Sequence, residues 1–392
     1  MSFTGNPQDA LFVLLNKLIK LGGSDLHLRV GSPPQVRIHG QMMPLEGFEP
    51  MTPDETRLLA CSFISDRQKE TFEAQRELDF SIDIDELSRF RVNIFNQKDT
   101  VGAVFRAIPY EIRSFESLGL PNVVADLCRK PRGLVLVTGP TGAGKSTTLA
   151  TMIDRINTAR HQHIITIEDP IEYLHTHKNC VVSQRELGSD TYSFADALRS
   201  GLRQDPDVVL VGEMRDLETI EMALRVAETG HLTLATLHTN TAASTISRII
   251  DVFPPTQQPQ IRTQLSNVLE GIMCQSLLPN AKGNGRVMAM EILIPNSAIR
   301  NLIREDKTHQ IYSIMQAGSE KYGMQTLNQS LAALYRKREL TLETALSISS
   351  NVEELRELCG QRTASSVIRS TSEAGTFGRQ NTVGNANAVK RP

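Results

Sequence analysis

The sequence predicts an α/β protein: a mostly parallel sheet covered by helices, preceded by a smaller α+β unit. Three observations carry that prediction. An apolar run, Leu134–Val137, leads into the glycine-rich octapeptide GPTGAGKS at 139–146, which opens a helical stretch from Thr147 to Ile156. From residue 122 onward, short apolar strands alternate with helical segments, as expected of a parallel sheet covered on both faces. Before residue 110, apolar and polar residues instead alternate singly in short runs, the signature of half-buried strands.

With 392 residues the chain is long enough for two ordinary domains. Hydrophobic content of 40% with 22% charged residues suits a soluble globular protein. The net charge of −2 gives no global field to attract nucleic acid. Cys61, Cys128, Cys180, Cys274 and Cys359 are scattered and form no CxxC pair. That spacing argues for packed free thiols in a reducing compartment, against zinc or disulfides. No cleavable leader is apparent, and the Leu11–Leu21 run is too short and too interrupted to span a bilayer. A cytoplasmic location follows, with peripheral membrane attachment left open.

Taken in order, residues 9–21 place Leu11, Leu14, Leu15, Leu18 and Ile19 on one helical stripe, stopped by Gly22-Gly23. Leu26, Leu28 and Val30 alternate as a strand, and Val36–Ile38 as another. Thr52-Pro53-Asp54-Glu55 reads as a capping box with proline at the first helical position, opening a helix to about Ile64. Further strands are expected at 78–84, 90–95 and 101–108. Residues 1–110 thus form the smaller unit, and the turn-rich stretch 111–121 reads as a linker.

The larger unit spans 122–360, with strands at 134–138, 163–167, 208–211, 232–236 and 287–294. Helical patterns follow at 297–305, 327–335 and 342–348. Residues 361–392 lack a hydrophobic period and are rich in Ser, Thr, Asn, Gly and Ala, so a disordered tail is expected.

The octapeptide reads as a phosphate-binding loop. Gly139, Pro140, Thr141, Gly142, Ala143 and Gly144 let the backbone wrap closely. The amides of Lys145, Ser146 and Thr147 would then face the phosphates at a helix N-terminus. Lys145 would reach the β- and γ-phosphates of ATP, and the Ser146 hydroxyl would ligate Mg²⁺. Hydrolysis also requires carboxylates. Glu213, at the end of the apolar strand 208–211, would project toward the Mg²⁺. Glu168, Asp169 and Glu172 cluster after the strand 163–167, and one of them is the expected base, the spacing leaving the choice open. His231 and His238 bracket the strand 232–236 and are candidates for sensing the γ-phosphate. Arg89, Arg91 and Arg106 lie on or beside strands of the smaller unit, as solvent-facing positions in a monomer or, in a ring, as arginines that reach a neighbouring subunit's phosphates.

The segments GPTGAGKS, TIEDPIEY (166–173), VVLVGEMRDLETI (208–220) and ETGHLTLATLHT (228–239) together resemble the secretion ATPase superfamily. Within it, the resemblance is to the ATPases of type IV pilus retraction. It runs from Gly22 to about Ser347 and includes GGSDLHLRVGSPP at 22–34 and AIRNLI at 298–303. The resemblance implies a RecA-like ATPase core, a PAS-like N-terminal domain and a homo-hexameric ring. Such a ring would act on an inner-membrane pilus platform protein from the cytoplasmic face and drive twitching motility. It implies Glu172 as catalytic base, Glu213 as the Walker B residue, His231 and His238 as a His box, and Arg91 with Arg106 as the arginine pair. A four-cysteine zinc motif, usual in pilus-extension and type II secretion ATPases, is absent, which favours retraction. The long tail is instead shared with the accessory paralogue of the retraction motor, which stands as the alternative. A DNA translocase shares the core type, but no aromatic-basic stripe supports it.

Overall fold

The computed structural model describes residues 6–38, 41–84, 87–108 and 112–361. The stretch expected as a disordered tail lies outside these residues apart from Gln361.

The N-terminal part is an antiparallel six-stranded sheet. Its strands are β1 (Asp25–Leu28), β2 (Gln35–Ile38), β3 (Gln41–Pro44), β4 (Glu77–Ile84), β5 (Ser88–Gln97) and β6 (Thr100–Ile108), in the order β3-β2-β1-β6-β5-β4. Strand period decides which side chains point inward. Phe80, Phe90, Val92 and Phe105 are buried against Leu11, Leu14 and Leu18 of the helix Pro7–Lys20. The intervening positions, among them Ser81, Arg89, Arg91 and Arg106, take the other face. The helix Pro53–Ala60 is shorter than expected, but Thr52 and Glu55 close a reciprocal capping box. Val30 makes only an isolated bridge with Met51 and does not extend β1.

The second sheet has seven strands: β7 (Gly133–Thr138), β8 (His163–Glu168), β9 (Val181–Glu186), β10 (Val208–Val211), β11 (Leu232–Leu237), β12 (Leu269–Pro279) and β13 (Arg286–Leu293). Their order is β13-β12-β7-β11-β10-β8-β9, parallel throughout except for the β12–β13 pair. Every residue of β7 is buried: Leu134 and Leu136 face one hydrophobic layer, Val135 and Val137 the other. Coverage on both faces is why this strand reads as a continuous apolar run. The expected strand 163–167 gains Glu168, and the strands β9 and β12 have no counterpart in the sequence reading. Within the expected linker, Phe115–Leu118 forms a helical turn whose Phe115 is buried with Val135 and Met152 of the larger unit. The segment is packed rather than free-standing.

Cys128, Cys180 and Cys274 are buried and Cys61 and Cys359 half-buried, all as free thiols. Among the described residues no helix is long and apolar enough to cross a membrane.

Candidate nucleotide site

The parallel strands deliver the candidate side chains to one edge of the sheet. Open α/β sheets hold ligands beyond the carboxyl ends of their strands. The neighbours β7, β11, β10 and β8 end, respectively, at the phosphate loop, His238, the Gly212-Glu213 turn and the Glu168–Glu172 segment.

The loop leaves β7 at Thr138 and enters the helix Lys145–Ala159. Gly139 is required there: its φ is +140°, and a Cβ would lie 2.3 Å from the Gln275 carbonyl oxygen. Gly144, also at positive φ, is the N-cap and gives no side-chain bond to the first-turn amides. Those N–H groups and the helix dipole are thus free for an anion. Lys145 Nζ donates to the carbonyl oxygens of Gly139 at 2.9 Å and Pro140 at 3.2 Å, so its ammonium lies folded over its own loop. Burial lowers the Lys145 pKa, while the charges of Glu213 and Glu172 oppose that shift.

Glu213 Oε1 accepts from Arg215 Nε at 2.6 Å and lies 3.1 Å from His238 Nε2. Burial pushes its pKa up, but Arg215 and His238 together outweigh this and hold it below the ordinary carboxylate value. Glu213 is therefore ionised at neutral pH, as a metal ligand must be. Glu168 differs. Burial pushes its pKa up to about 7, against the hydrogen bonds from Thr166 Oγ1 at 2.7 Å and Gln184 Nε2 at 3.2 Å. It shares a cavity of about 30 Å³ with Ser146, Tyr173 and His175. Glu172 is exposed, next to Ile171, and its charge is felt at both Lys145 and Glu168. Of the cluster, Glu172 is the exposed carboxylate whose charge bears on Lys145.

The two histidines separate. His238 follows β11 at the loop edge, with Nδ1 3.5 Å from Lys145 Nζ. His231 precedes β11, where its backbone carbonyl accepts from Gly133 N at the start of β7. The six residues of β11 lie between them, a separation of about 23 Å. The His231 ring is tied to its own turn by Thr229 Oγ1 and the Val226 carbonyl, both at 3.1 Å. The two do bracket β11, with His238 at the loop edge of the sheet and His231 at the opposite edge.

The arginines also separate. Arg91 and Arg106 are directly opposed across β5 and β6. Arg106 Nε donates to the buried Asp25 at 2.8 Å, and the Arg91 side chain makes no hydrogen bond or ion pair among the described residues. Neither is joined to the loop of its own chain by a hydrogen bond or ion pair. Arg89 instead reaches Glu186 of β9 at 2.8 Å.

Sequence reasoning missed several supports. Gln275 of β12 places its carbonyl against Gly139 and donates from Nε2 to Thr148 Oγ1 at 2.9 Å. Tyr173 OH meets Thr147 Oγ1 at 2.9 Å. Gln184 of β9 bonds the Tyr173 carbonyl and the His175 amide. These contacts join strands and loops far apart in sequence, so no local pattern announces them.

The arrangement fits a triphosphate: first-turn amides with no capping side chain, a lysine held by two loop carbonyls and the His238 ring, and close backbone approach at Gly139. Ser146 and Glu213 are the residues that would hold Mg²⁺. Among the described residues no group of three or more His, Cys, Asp or Glu side chains forms a metal cage. A hard cation that keeps water and phosphate oxygens in its shell needs none.

Comparison with known proteins places the chain among relatives of known family. The family described as Type II/IV secretion system protein matches residues 80–357. The type IV pilus retraction ATPase PilT of Pseudomonas aeruginosa is 50% identical over 326 residues, covering 83% of this chain and 94% of that protein. The type IV pilus ATPase PilU of the same organism is 42% identical, covering 88% and 89%. A crystal structure of the pilus retraction motor PilT with bound ADP superposes with a TM-score of 0.83 at 52% identity, covering 88% of this chain and 98% of that one. The chain belongs to the family of type II/IV secretion system proteins and is PilT-like in sequence and fold.

Proposed function

We propose that the protein is a motor ATPase that hydrolyses ATP to ADP and phosphate and couples the reaction to type IV pilus retraction, the movement behind twitching motility. The observation that carries the reading is the line Lys145–His238–Glu213 across the ends of three adjacent strands, with Glu172 beside it on the fourth. In this reading Lys145 exchanges the Gly139 and Pro140 carbonyls for the β- and γ-phosphates. The amides of 145–147 hold the phosphate oxygens, and Glu172 orients and deprotonates the attacking water. Mg²⁺, held by Ser146 and Glu213, would neutralise charge on the phosphates.

The ring is part of the proposal. Arg106 is already balanced by Asp25, but Arg91, directly opposite it, has no side-chain partner among the described residues and can take a further anion. Arg91 and Arg106 would meet the triphosphate of a neighbouring subunit, which makes a homo-hexamer the working form. An inner-membrane platform protein would be the load, contacted from the cytoplasmic face.

Phosphate release by purified protein tests the activity. Turnover lost in Lys145→Ala and Glu172→Ala supports the motor; no turnover in the native chain overturns it. Deletion of the gene tests the direction, since piliated but immotile cells indicate retraction and bald cells indicate extension. The 42% identity to PilU favours one second reading, an accessory retraction ATPase. Deletion that weakens motility without abolishing it would select that reading.

A further inference from the structure

Glu186, the last residue of β9, is 4% exposed, and a single one of its oxygens, Oε2, serves two parts of the chain. It accepts from Arg89 Nη2 at 2.8 Å and Ser81 Oγ at 3.3 Å, both on the N-terminal sheet. It also accepts from the Ile171 backbone amide at 3.1 Å, one residue before Glu172. Two residues earlier on the same strand, Gln184 holds the loop on the other side, through the Tyr173 carbonyl at 2.9 Å and the His175 amide at 2.7 Å. The backbone is thus pinned immediately before and after Glu172. Of these two clamps, Glu186 is the one that also touches the other sheet.

From this we infer that Arg89 and Glu186 are positioning residues: a clasp through which the placement of the N-terminal sheet sets the placement of Glu172. The chemistry supports a clasp that can open. Arg89 is 12% exposed at its side chain and divides its fork between Glu186 and Asp83, the latter at 2.7 Å, yet its Nε is buried with no partner. An ion pair so enclosed is held as long as both partners stay, and loses its shielding when the sheets part. If Arg89 and Ser81 withdraw, Glu186 keeps only the Ile171 amide and becomes open to water, which competes for that bond. Movement of one unit against the other is thereby translated into slack in the segment that carries Glu172. Sub-ångström slack at a catalytic base is enough to alter turnover.

The inference rests on the proposed role of Glu172, and the test keeps the two apart. Arg89→Ala, Arg89→Lys, Glu186→Gln and the Arg89→Ala/Glu186→Gln double variant are compared with the native full-length chain. Two measurements are made: hydrogen exchange of the peptide containing Ile171, and steady-state ATP hydrolysis. Arg89→Ala is expected to speed exchange at Ile171 and lower kcat about tenfold, with KM for ATP changed by less than about twofold. Arg89→Lys, which retains the charge, should recover most of kcat. The double variant should be no slower than the worse single, because both changes open one clasp. Arg89→Ala with native exchange at Ile171, or fully additive losses in kcat, would overturn the inference. If the native chain itself has no turnover, the role of Glu172 falls, and unchanged or accelerated exchange still decides the clasp.

Discussion

His238 Nε2 lies 3.1 Å from Glu213 Oε1, while the opposite ring nitrogen faces Lys145 Nζ at 3.5 Å. An ammonium has only N–H to give, so Nδ1 accepts, and in the neutral ring Nε2 carries the proton toward the carboxylate. One imidazole therefore connects the phosphate lysine to the candidate metal carboxylate. A phosphate that draws Lys145 off its loop removes a partner from His238, and a change in His238 is felt at Glu213.

That linkage makes His238 a turnover residue more than a binding residue. His238→Ala is expected to lower kcat about tenfold while leaving the affinity for ATP nearly unchanged. His231→Ala should leave the chemistry of an isolated site alone, since the ring is bonded to its own turn. Steady-state kinetics beside thermal melts distinguishes the pair; equal effects on kcat would refute the separation.

The two loop glycines should respond unequally to alanine. At Gly139 the added Cβ meets the Gln275 carbonyl at 2.3 Å, whereas at Gly142 nothing lies within 4 Å and only the positive φ is at issue. We expect Gly142→Ala to cost about 1 kcal/mol and Gly139→Ala about 2–4 kcal/mol, with phosphate affinity lost as β12 is pushed away. Denaturant melts with and without nucleotide give both numbers.

Glu168 predicts a pH dependence whose sign follows from its raised pKa. Unfolded, the carboxyl ionises near the ordinary glutamate value of 4.5; folded, burial keeps it protonated to about 7. Between those values the unfolded chain binds fewer protons, so this group makes the fold less stable as pH rises, by at most about 3 kcal/mol by pH 7. Below pH 4.5 the penalty vanishes. Glu168→Gln should flatten the slope of unfolding free energy between pH 4.5 and 7. An unchanged slope would show that Glu168 is ionised in the fold.

The arginine pair can be tested by mixing subunits. If Arg91 serves a neighbour's nucleotide, Arg91→Ala and Lys145→Ala rings are each inactive, and co-assembled rings regain some intact sites. Random mixing of equal amounts leaves about a quarter of the sites with both native residues, as expected where a lysine and an arginine come from different copies at each head-to-tail interface. Complementation absent in assembled mixed rings would place the arginines outside the shared site.

Much of the fold is legible where one interaction dominates. The strand 208–211 is found at its full extent because both faces are buried, and the Thr52 capping box is local chemistry within four residues. β12 escapes notice because the helix Gln258–Val268 passes directly into Leu269 with no glycine or proline between them. β9 escapes because an edge strand with mixed burial carries no clean alternation.

By itself the sequence determined the phosphate loop, its helix and the strand-end carboxylates, since a glycine turn before a helix N-terminus is a short-range arrangement of backbone. It could not decide which side chains meet. His231 and His238 look equivalent in the chain, yet strand direction puts them at opposite edges of the sheet. Arg89, Arg91 and Arg106 share one face by period. The pairing of β1 with β6 sends Arg106 to Asp25, only the packing of the two sheets sends Arg89 to Glu186, and Arg91 has no side-chain partner among the described residues. Those choices depend on contacts between residues up to about a hundred positions apart, such as Arg89 and Glu186, whose separation is 97. Such contacts form only when burial of both hydrophobic cores brings the sheets together, because the hydrophobic effect that drives burial is non-directional and leaves no local mark on the chain.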